Sequence, residues 1–252
     1  PSWVWDFWTA DDGENYHLFF LYAPKSLPHP DDRHYSASIG HAVSSDLRHW
    51  TRVEDALLHG EPGDFDALAT WTGSVTRRDD GVWHMLYTGA VLAADNRNVQ
   101  TIGVATSTDL FTWTKHGAVA EASPQWYEKL ADESWHDEAF RDPWVVRDPG
   151  GAGWHMLITA RGKEGPADDR GVVGHAWSPD LRQWEVRPPL SKVGQGFGQL
   201  EVMHTVEMDG QWFLLFSCLG ADLSASRQGT TQGGTWAARA EGPLGPYDIA
   251  GA

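Results

Sequence analysis

The chain has 252 residues, with 35 Asp plus Glu against 19 Lys plus Arg, for a net charge of −16. A surplus of that sign and size argues against a nucleic-acid or anionic-membrane partner, because no basic patch is written in the sequence to overcome it; a neutral or cationic ligand is expected. Cys218 is the only cysteine, which excludes an intrachain disulfide framework and a thiolate metal cluster.

The length suits one large all-β or α/β domain, or two small ones. No run approaches the roughly 18 apolar residues of a membrane span, and the first residues lack the basic, apolar and small-residue order of a secretory signal. The expected compartment is the cytoplasm, with no membrane partner. The unusual count is 15 Trp, most of them expected to be structural.

In chain order, Trp3-Val-Trp-Asp-Phe-Trp8 is followed by an apolar run, Tyr16-His-Leu-Phe-Phe-Leu-Tyr22, a small-residue strand, Ile39-Gly-His-Ala-Val43, and a turn, Ser45-Asp-Leu-Arg-His-Trp50. The succession returns as Trp71-Thr-Gly-Ser74, Trp83 to Gly89, Ile102 to Thr106 and Thr108-Asp-Leu-Phe-Thr-Trp113. It returns again as Phe140-Arg-Asp-Pro143, Trp154 to Ala160, Val173 to Trp177 and Pro179-Asp-Leu-Arg-Gln-Trp184. A fourth unit runs from Gly198-Gln-Leu-Glu-Val-Met-His204 through Trp212 to Cys218 and Thr235 to Arg239, where Gly242 to Tyr247 replaces the turn.

Matching positions His17, His84, His155 and Phe213 lie 67, 71 and 58 residues apart. Strand-length runs repeating at that period predict an all-β fold of four-stranded antiparallel blades, a β-propeller. The units begin near residues 3, 69, 139 and 199, and residues 1–252 read as a single catalytic propeller domain. Ala252 is expected at the close of the fourth unit's third strand, so a five-bladed propeller would need about one repeat more than this chain holds. The only candidate helix is Gln125 to Asp132.

In a propeller the first strand of each blade lines the central channel, so residues at the head of each repeat converge. The heads carry Asp6, the uncharged Trp71-Thr-Gly-Ser74, Asp142 and Glu201. Pro143 places Arg141-Asp142 at a strand entry, where the pair is either a solvated ion pair or part of a site. Acids in a Trp-lined channel repel and are desolvated, which raises at least one pKa; raised and unraised carboxylates together suit glycoside cleavage. Calcium or magnesium binding by the same three acids is the rival, disfavoured by the crowding of Trp5, Trp8 and Trp71 and by the absence of an Asp-x-Asp-x-Asp spacing. No metal or other cofactor is expected. His17, His84 and His155 recur with the repeat and read as structural. Asp64 and Asp66 read as a solvated acidic loop, Asp132 to Glu138 as an acidic loop near the mouth, and Gly229 to Gly234 as a flexible loop.

These residues resemble the clan of five-bladed glycosidases that contains glycoside hydrolase families 32 and 68, the invertases, fructanases and levansucrases. Trp3 to Trp8 is similar to the family 32 Trp-Met-Asn-Asp-Pro-Asn-Gly motif at Asp6, but has Trp5 for the Asn and Phe7 for the Pro, which brings it closer to the Val-Trp-Asp-Ser-Trp of family 68. Phe140-Arg-Asp-Pro143 matches the most specific motif of the clan, and Glu201 falls where its acid/base Glu is expected, with Val202 in place of the usual Cys. The resemblance implies a retaining mechanism in which Asp6 is the nucleophile, Glu201 the acid/base, and Asp142 with Arg141 the holder of the fructosyl hydroxyls. Trp5, Trp8, Trp71, Ser74 and His204 would line the sugar pocket. Asp6 and Glu201 would then stand about 5 to 5.5 Å apart.

The function expected is a β-D-fructofuranosidase on sucrose or fructan, with or without fructosyl transfer, acting on a small-molecule or oligosaccharide substrate. The alternatives are an inverting arabinofuranosidase or xylosidase like those of family 43, and a non-catalytic carbohydrate-binding propeller.

Overall fold

A computed structural model describes residues 1–252. It holds 17 strands and four short 3-10 turns. No helix is long and apolar enough to cross a membrane. The chain divides into two compact units, residues 1–119 and 120–252.

The first unit carries β1 (Ser2–Asp11), β2 (Tyr16–Pro24), β3 (Ser38–Ser44) and β4 (Thr51–Arg52), then β5 (Ala69–Arg77), β6 (Trp83–Leu92), β7 (Asn98–Ser107) and β8 (Thr114–Ala120). The second carries the two-residue β9 (Asp137–Glu138), then β10 (Phe140–Arg147), β11 (Trp154–Arg161), β12 (Gly171–Ser178) and β13 (Glu185–Arg187), then β14 (Glu201–Met208), β15 (Gln211–Cys218), β16 (Gly234–Ala240) and β17 (Tyr247–Asp248). The four sheets β1–β4, β5–β8, β10–β13 and β14–β17 each keep chain order, the up-and-down meander of a propeller blade.

Local chemistry explains why three of these blades end alike. Asp46, Asp109 and Asp180 each accept on Oδ1 from the backbone N–H groups two and three residues on, at 2.8 to 2.9 Å. Ser44, Ser107 and Ser178 donate a hydroxyl to the same carboxylates at 2.9 to 3.2 Å. The leucines that follow, Leu47, Leu110 and Leu181, take left-handed φ values of 61°, 64° and 65°, a strained choice that the converging hydrogen bonds hold in place. Trp113 and Trp184 close the turn by donating Nε1–H to the carbonyls of Leu110 and Leu181. The Asp-Leu-x-x-Trp repeat is therefore a turn.

The glycine of the third strand is set by packing in the first two blades. A Cβ on Gly40 would lie 2.5 Å from the ring of Phe20, and one on Gly103 would lie 2.1 Å from Phe65. The core of the first unit gathers Trp8, Phe19, Leu21, Ile39, Trp83, Met85 and Tyr87, and that of the second gathers Leu157, Val173, Phe197, Met203, Leu214 and Phe216.

Three sequence expectations are corrected here. The segment from Gln125 to Asp132 forms no helix beyond a 3-10 turn at Leu130–Asp132; Ser123 and Trp126 are followed by backbone that bonds Arg161 instead, through the Glu128 N–H. Ala252 follows a short fourth strand, β17, rather than closing the third. Asp66 is no solvated loop acid. It is 1 % exposed, with Lys115 at 2.6 Å and the Tyr87 hydroxyl at 3.0 Å, a long-range pairing that no local pattern announces.

The recurring histidines are structural in blades one and three. His17 Nδ1 meets His41 Nε2 at 2.9 Å, with Asp12 at 3.1 Å on the other side of His17. His155 meets His175 in the same way at 2.8 Å, with Asp148 at 3.7 Å from His155. Burial first, and the partner imidazole second, pull His41 and His175 down to about 4. A folded-state pKa below the unfolded one means that the unfolded chain binds more protons between pH 4 and 6.5, so stability is full above about pH 6.5 and falls as pH drops through that window. Each buried ring accounts for up to about 3 kcal/mol of that loss. The urea midpoint is thus expected to fall steeply from pH 7 to pH 5, and His41→Gln and His175→Gln, each measured alone, are expected to flatten the fall; a midpoint independent of pH in the parent would contradict the pairing.

Candidate active site

A shared backbone irregularity marks the head of every blade. The β1–β2 register slips between Trp5 and Phe7, leaving Asp6 at φ 40°; the β10–β11 register slips between Arg141 and Trp144, leaving Asp142 at φ 56°. The β14–β15 register slips between Glu201 and His204, with Val202 at φ 50°, and the β5–β6 register slips between Trp71 and Gly73, around Thr72. A bulge removes one residue from the ladder and re-aims its side chain. Pro143 fits there without loss, since a bulged position has no ladder bond for its missing N–H to make.

The sequence-predicted residues are divided between the units: Trp5, Asp6, Trp8, Trp71 and Ser74 lie in the first, and Arg141, Asp142, Glu201 and His204 in the second. In the first, the half-buried Asp6 accepts the Thr72 hydroxyl on Oδ2 at 2.6 Å. Trp5 and Trp71 pack together on Ala37, Ala69 and Ala90, and the Trp71 indole donates to the His34 carbonyl at 2.7 Å. Ser74 is buried at 3 % exposure. Trp8 is placed differently from the expectation: it is 5 % exposed in the core, stacked on Phe19 at 6.3 Å, and supports the blade rather than a sugar. One residue after Phe7 the strand has returned to regular pairing, so Trp8 points inward with the period-2 alternation.

The second unit builds a denser network. Arg141 and Asp142 are both buried, so the solvated ion pair is not what the structure contains. Arg141 Nη2 donates to Glu201 Oε1 at 2.6 Å and also to the side-chain carbonyl of Gln199. Its Nε lies 3.5 Å from Asp142 Oδ2 and its Nη1 3.7 Å from Asp137 Oδ2. Burial pulls the guanidinium pKa down, but Glu201, Asp142 and Asp137 together more than offset this and hold it above its ordinary value. Arg141 is a permanent cation among three carboxylates.

Asp142 is fixed on one oxygen by three elements. Its Oδ2 accepts from the Val202 N–H at 3.1 Å and lies 2.9 Å from the Thr159 hydroxyl, which is also 2.8 Å from the Leu200 carbonyl. A hydroxyl has a single proton, so Thr159 serves one acceptor at a time. His204 is half-buried 5.5 Å from the Trp144 ring, and burial lowers its pKa, which favours a neutral imidazole.

Several participants were missed by sequence reasoning. Thr72, Thr159 and Gln199 touch the carboxylates or Arg141 but carry no motif of their own, although Thr72 and Gln199 lie inside stretches already singled out. Asp222 is another: burial, then repulsion from Glu201, raises its pKa. The acidic loop from Asp132 to Glu138 is largely tied down, with Asp132 capping the Lys129 N–H and Glu138 paired with Lys129. No group of His, Cys, Asp and Glu side chains is arranged to hold a metal ion.

In the second unit the bulged Asp142 and Glu201, the residue before the next bulge, flank a permanent cation, an arrangement compatible with glycosidase chemistry. The sequence profile described as Glycosyl hydrolases family 32 N-terminal domain matches residues 9–241. The chain belongs to glycoside hydrolase family 32. Arg141, Asp142 and Glu201 lie inside the matched span, and Asp6 lies three residues before it. Raffinose invertase of Escherichia coli is 32% identical over 185 residues, covering 72% of this chain and 34% of that protein. Beta-fructofuranosidase 1 of Zea mays is 30% identical over 191 residues, covering 74% of this chain and 26% of that protein. This family 32 chain thus spans about a quarter to a third of those curated relatives. Among solved structures, inulosucrase from Halalkalicoccus jeotgali bound to kestose superposes with a TM-score of 0.78 at 25% identity, covering 98% of this chain and 66% of that one. Bacillus subtilis levansucrase, at 15% identity and a TM-score of 0.76 over 99% of this chain and 71% of its own, shares the fold.

Removing the Arg141 charge leaves buried carboxylates without compensation. Arg141→Met is expected to cost about 3–5 kcal/mol at neutral pH by urea denaturation. The deficit should narrow as the pH is lowered towards 4, because protonating the stranded acids relieves their repulsion; a deficit that widens on acidification would contradict the network.

Proposed function

We propose that the protein cleaves β-D-fructofuranosides of the sucrose or fructan type with retention of configuration. The observation that carries the reading is the placement of three acids at blade heads in a chain of a glycoside hydrolase family: Asp6 and Asp142 are the left-handed residues of their bulges, and Glu201 is the paired residue just before the third bulge, at Val202. The relatives named as invertases and as inulosucrase support a substrate class that is small or oligomeric and rich in hydroxyls.

The roles of Asp142 and Asp6 are read from what holds each carboxylate, and Glu201 takes the acid/base role that remains. Asp142 accepts from a buried hydroxyl and a backbone N–H, which keeps it an acceptor and suits it to receive sugar hydroxyls rather than to give a proton. Asp6 accepts the Thr72 hydroxyl on Oδ2, and in this reading its Oδ1 attacks the anomeric carbon. The glycosidic C–O bond breaks as Glu201 gives its proton to the leaving oxygen, and a covalent fructosyl-Asp6 ester forms. Glu201, now a carboxylate, takes a proton from water; the water oxygen attacks the same carbon and the ester bond to Asp6 breaks. Fructosyl transfer is the same second step with a sugar hydroxyl in place of water.

Incubation with sucrose and levan, with the first-formed anomer read by NMR, is expected to show β-fructofuranose. Asp6→Asn and Glu201→Gln are each expected to lower kcat by about 10⁴-fold. First appearance of the α anomer would convert the reading to inversion, and release of no sugar from any fructoside would refute it.

A further inference from the structure

Strand β11 pairs with the Asp142 strand β10, and its side chains also reach the blade that follows. Thr159 and Arg161 lie on one face of it, as alternate residues of a strand must. Opposite them runs the lead-in to β14, residues 198–200, which lies outside the strand, so the carbonyls of Gly198 and Leu200 take their donors from side chains. Arg161 Nη1 donates to the Gly198 carbonyl at 2.6 Å, and the Thr159 hydroxyl stands 2.8 Å from the Leu200 carbonyl. A two-residue step on one chain matches a two-residue step on the other.

The same hydroxyl lies 2.9 Å from Asp142 Oδ2, and that oxygen accepts the Val202 N–H at 3.1 Å. Glu201 stands between Leu200 and Val202 in the chain. Both of its peptide groups, one through the Leu200 carbonyl and one through the Val202 N–H, are therefore tied to a single point made by Thr159 and Asp142, across the bulge where Val202 takes φ 50°. Counterparts of Thr159 in other blades behave differently. Thr88 pairs with Trp71, and Ser217 with Glu201, as Thr159 pairs with Arg141. The Thr88 hydroxyl donates to the Thr72 carbonyl of its own blade at 3.0 Å, and Ser217 Oγ lies 3.5 Å from Thr235 Oγ1, again in its own blade. Thr159 reaches across to the next blade.

Resting on the fructosidase reading, we propose that Thr159 is a positioning residue for the acid/base Glu201: with Asp142 it clamps both peptide groups of Glu201 and so aims the carboxyl at the leaving oxygen. Arg141 holds the other end, donating to Glu201 Oε1 at 2.6 Å. Asp142 thereby has a second task beside its sugar contacts, holding the backbone of the residue that gives the proton. Packing does not account for the hydroxyl. Thr159 is 0 % exposed, and valine has the same branched shape and suits a strand equally well, without a polar group to desolvate. What threonine adds at this position is the link from β11 to the Glu201 backbone.

The test measures kcat/KM of Thr159→Val and Thr159→Ser on sucrose and on p-nitrophenyl β-D-fructofuranoside, with melting temperatures taken alongside. Sucrose needs a proton on its leaving oxygen, whereas nitrophenolate departs without one, so a displaced Glu201 shows on sucrose alone; a fault in sugar binding or in the fold shows on both. Thr159→Val is expected to lower kcat/KM about tenfold on sucrose, the effect of one lost hydrogen bond, and to leave it within about twofold on the nitrophenyl fructoside. Thr159→Ser, which keeps the hydroxyl, is expected to recover most of the loss. Equal falls on the two substrates, an unchanged value on sucrose, or a Ser variant as slow as the Val variant overturns the proposal, and if the Val variant does not fold Thr159→Ala takes its place. Should the parent cleave no fructoside, the functional reading fails on its own; amide exchange at Val202, followed by NMR, then decides the clamp, faster exchange in the Val than in the Ser variant supporting it and equal exchange overturning it.

Discussion

The bulge at the head of each blade is the constraint from which the rest follows. In a regular strand, a residue between Trp5 and Phe7 or between Arg141 and Pro143 would be paired on the ladder and its side chain fixed by the alternation. Inserting one unpaired residue breaks that alternation locally, and the left-handed backbone at Asp6 and Asp142 re-aims the carboxylate while both flanking strands stay intact. The energetic cost of a non-glycine residue at positive φ is of order 1–3 kcal/mol, and it is held by strands that pair on both sides of the defect. Asp6 and Asp142 and the blade skeleton around each are thereby placed by one device.

Arg141 turns that device into an electrostatic centre. A single guanidinium reaches Glu201, Gln199, Asp142 and Asp137, and only arginine has enough donors in a fixed plane for this. Behind it, Arg161 does a comparable job for the strand lead-in: fully buried, it donates to the Gly198 carbonyl at 2.6 Å and pairs with Glu128 at 3.2 Å, with Trp135 over its face at 3.6 Å. The stretch Gly198-Gln199-Leu200-Glu201 is therefore gripped from two sides. Buried charge in this unit is used to fix positions, at a desolvation cost that the paired carboxylates offset.

Much of this could be read from the residues alone. The blades announce themselves because each is closed by a turn whose hydrogen bonds lie within seven residues, so Ser44 to Trp50 and its counterparts carry the pattern openly. The acids were legible through their phase with that repeat and through the Arg-Asp-Pro motif. What stayed hidden is long-range: Asp66 finds Lys115 some 49 residues away and Arg161 finds Glu128 at 33, and no local spacing encodes such pairs. Trp8 was misplaced for a subtler reason. By sequence it falls to the pocket with the rest of the Trp3 to Trp8 stretch, whereas pairing resumes at Phe7 and leaves Trp8 buried on Phe19.

The three matching turns have a consequence for how such a chain tolerates change. Each satisfies the N–H groups of its turn from its own Asp, and the second also rests Phe111 on His17 and His41 of the first blade, with ring centroids 5.2 and 5.3 Å apart. A connection of that kind behaves as a cassette: its frame needs the aspartate and the left-handed residue, while the two positions after the leucine are exposed and differ from turn to turn, as Arg48-His49, Phe111-Thr112 and Arg182-Gln183. Between Gly242 and Tyr247 the same junction is made by an unrelated turn, in which the Tyr247 hydroxyl donates to the Pro243 carbonyl at 2.8 Å. The blade edge is thus a place where one solution can be exchanged whole for another while the bulged, charged ends of the first strands are left untouched.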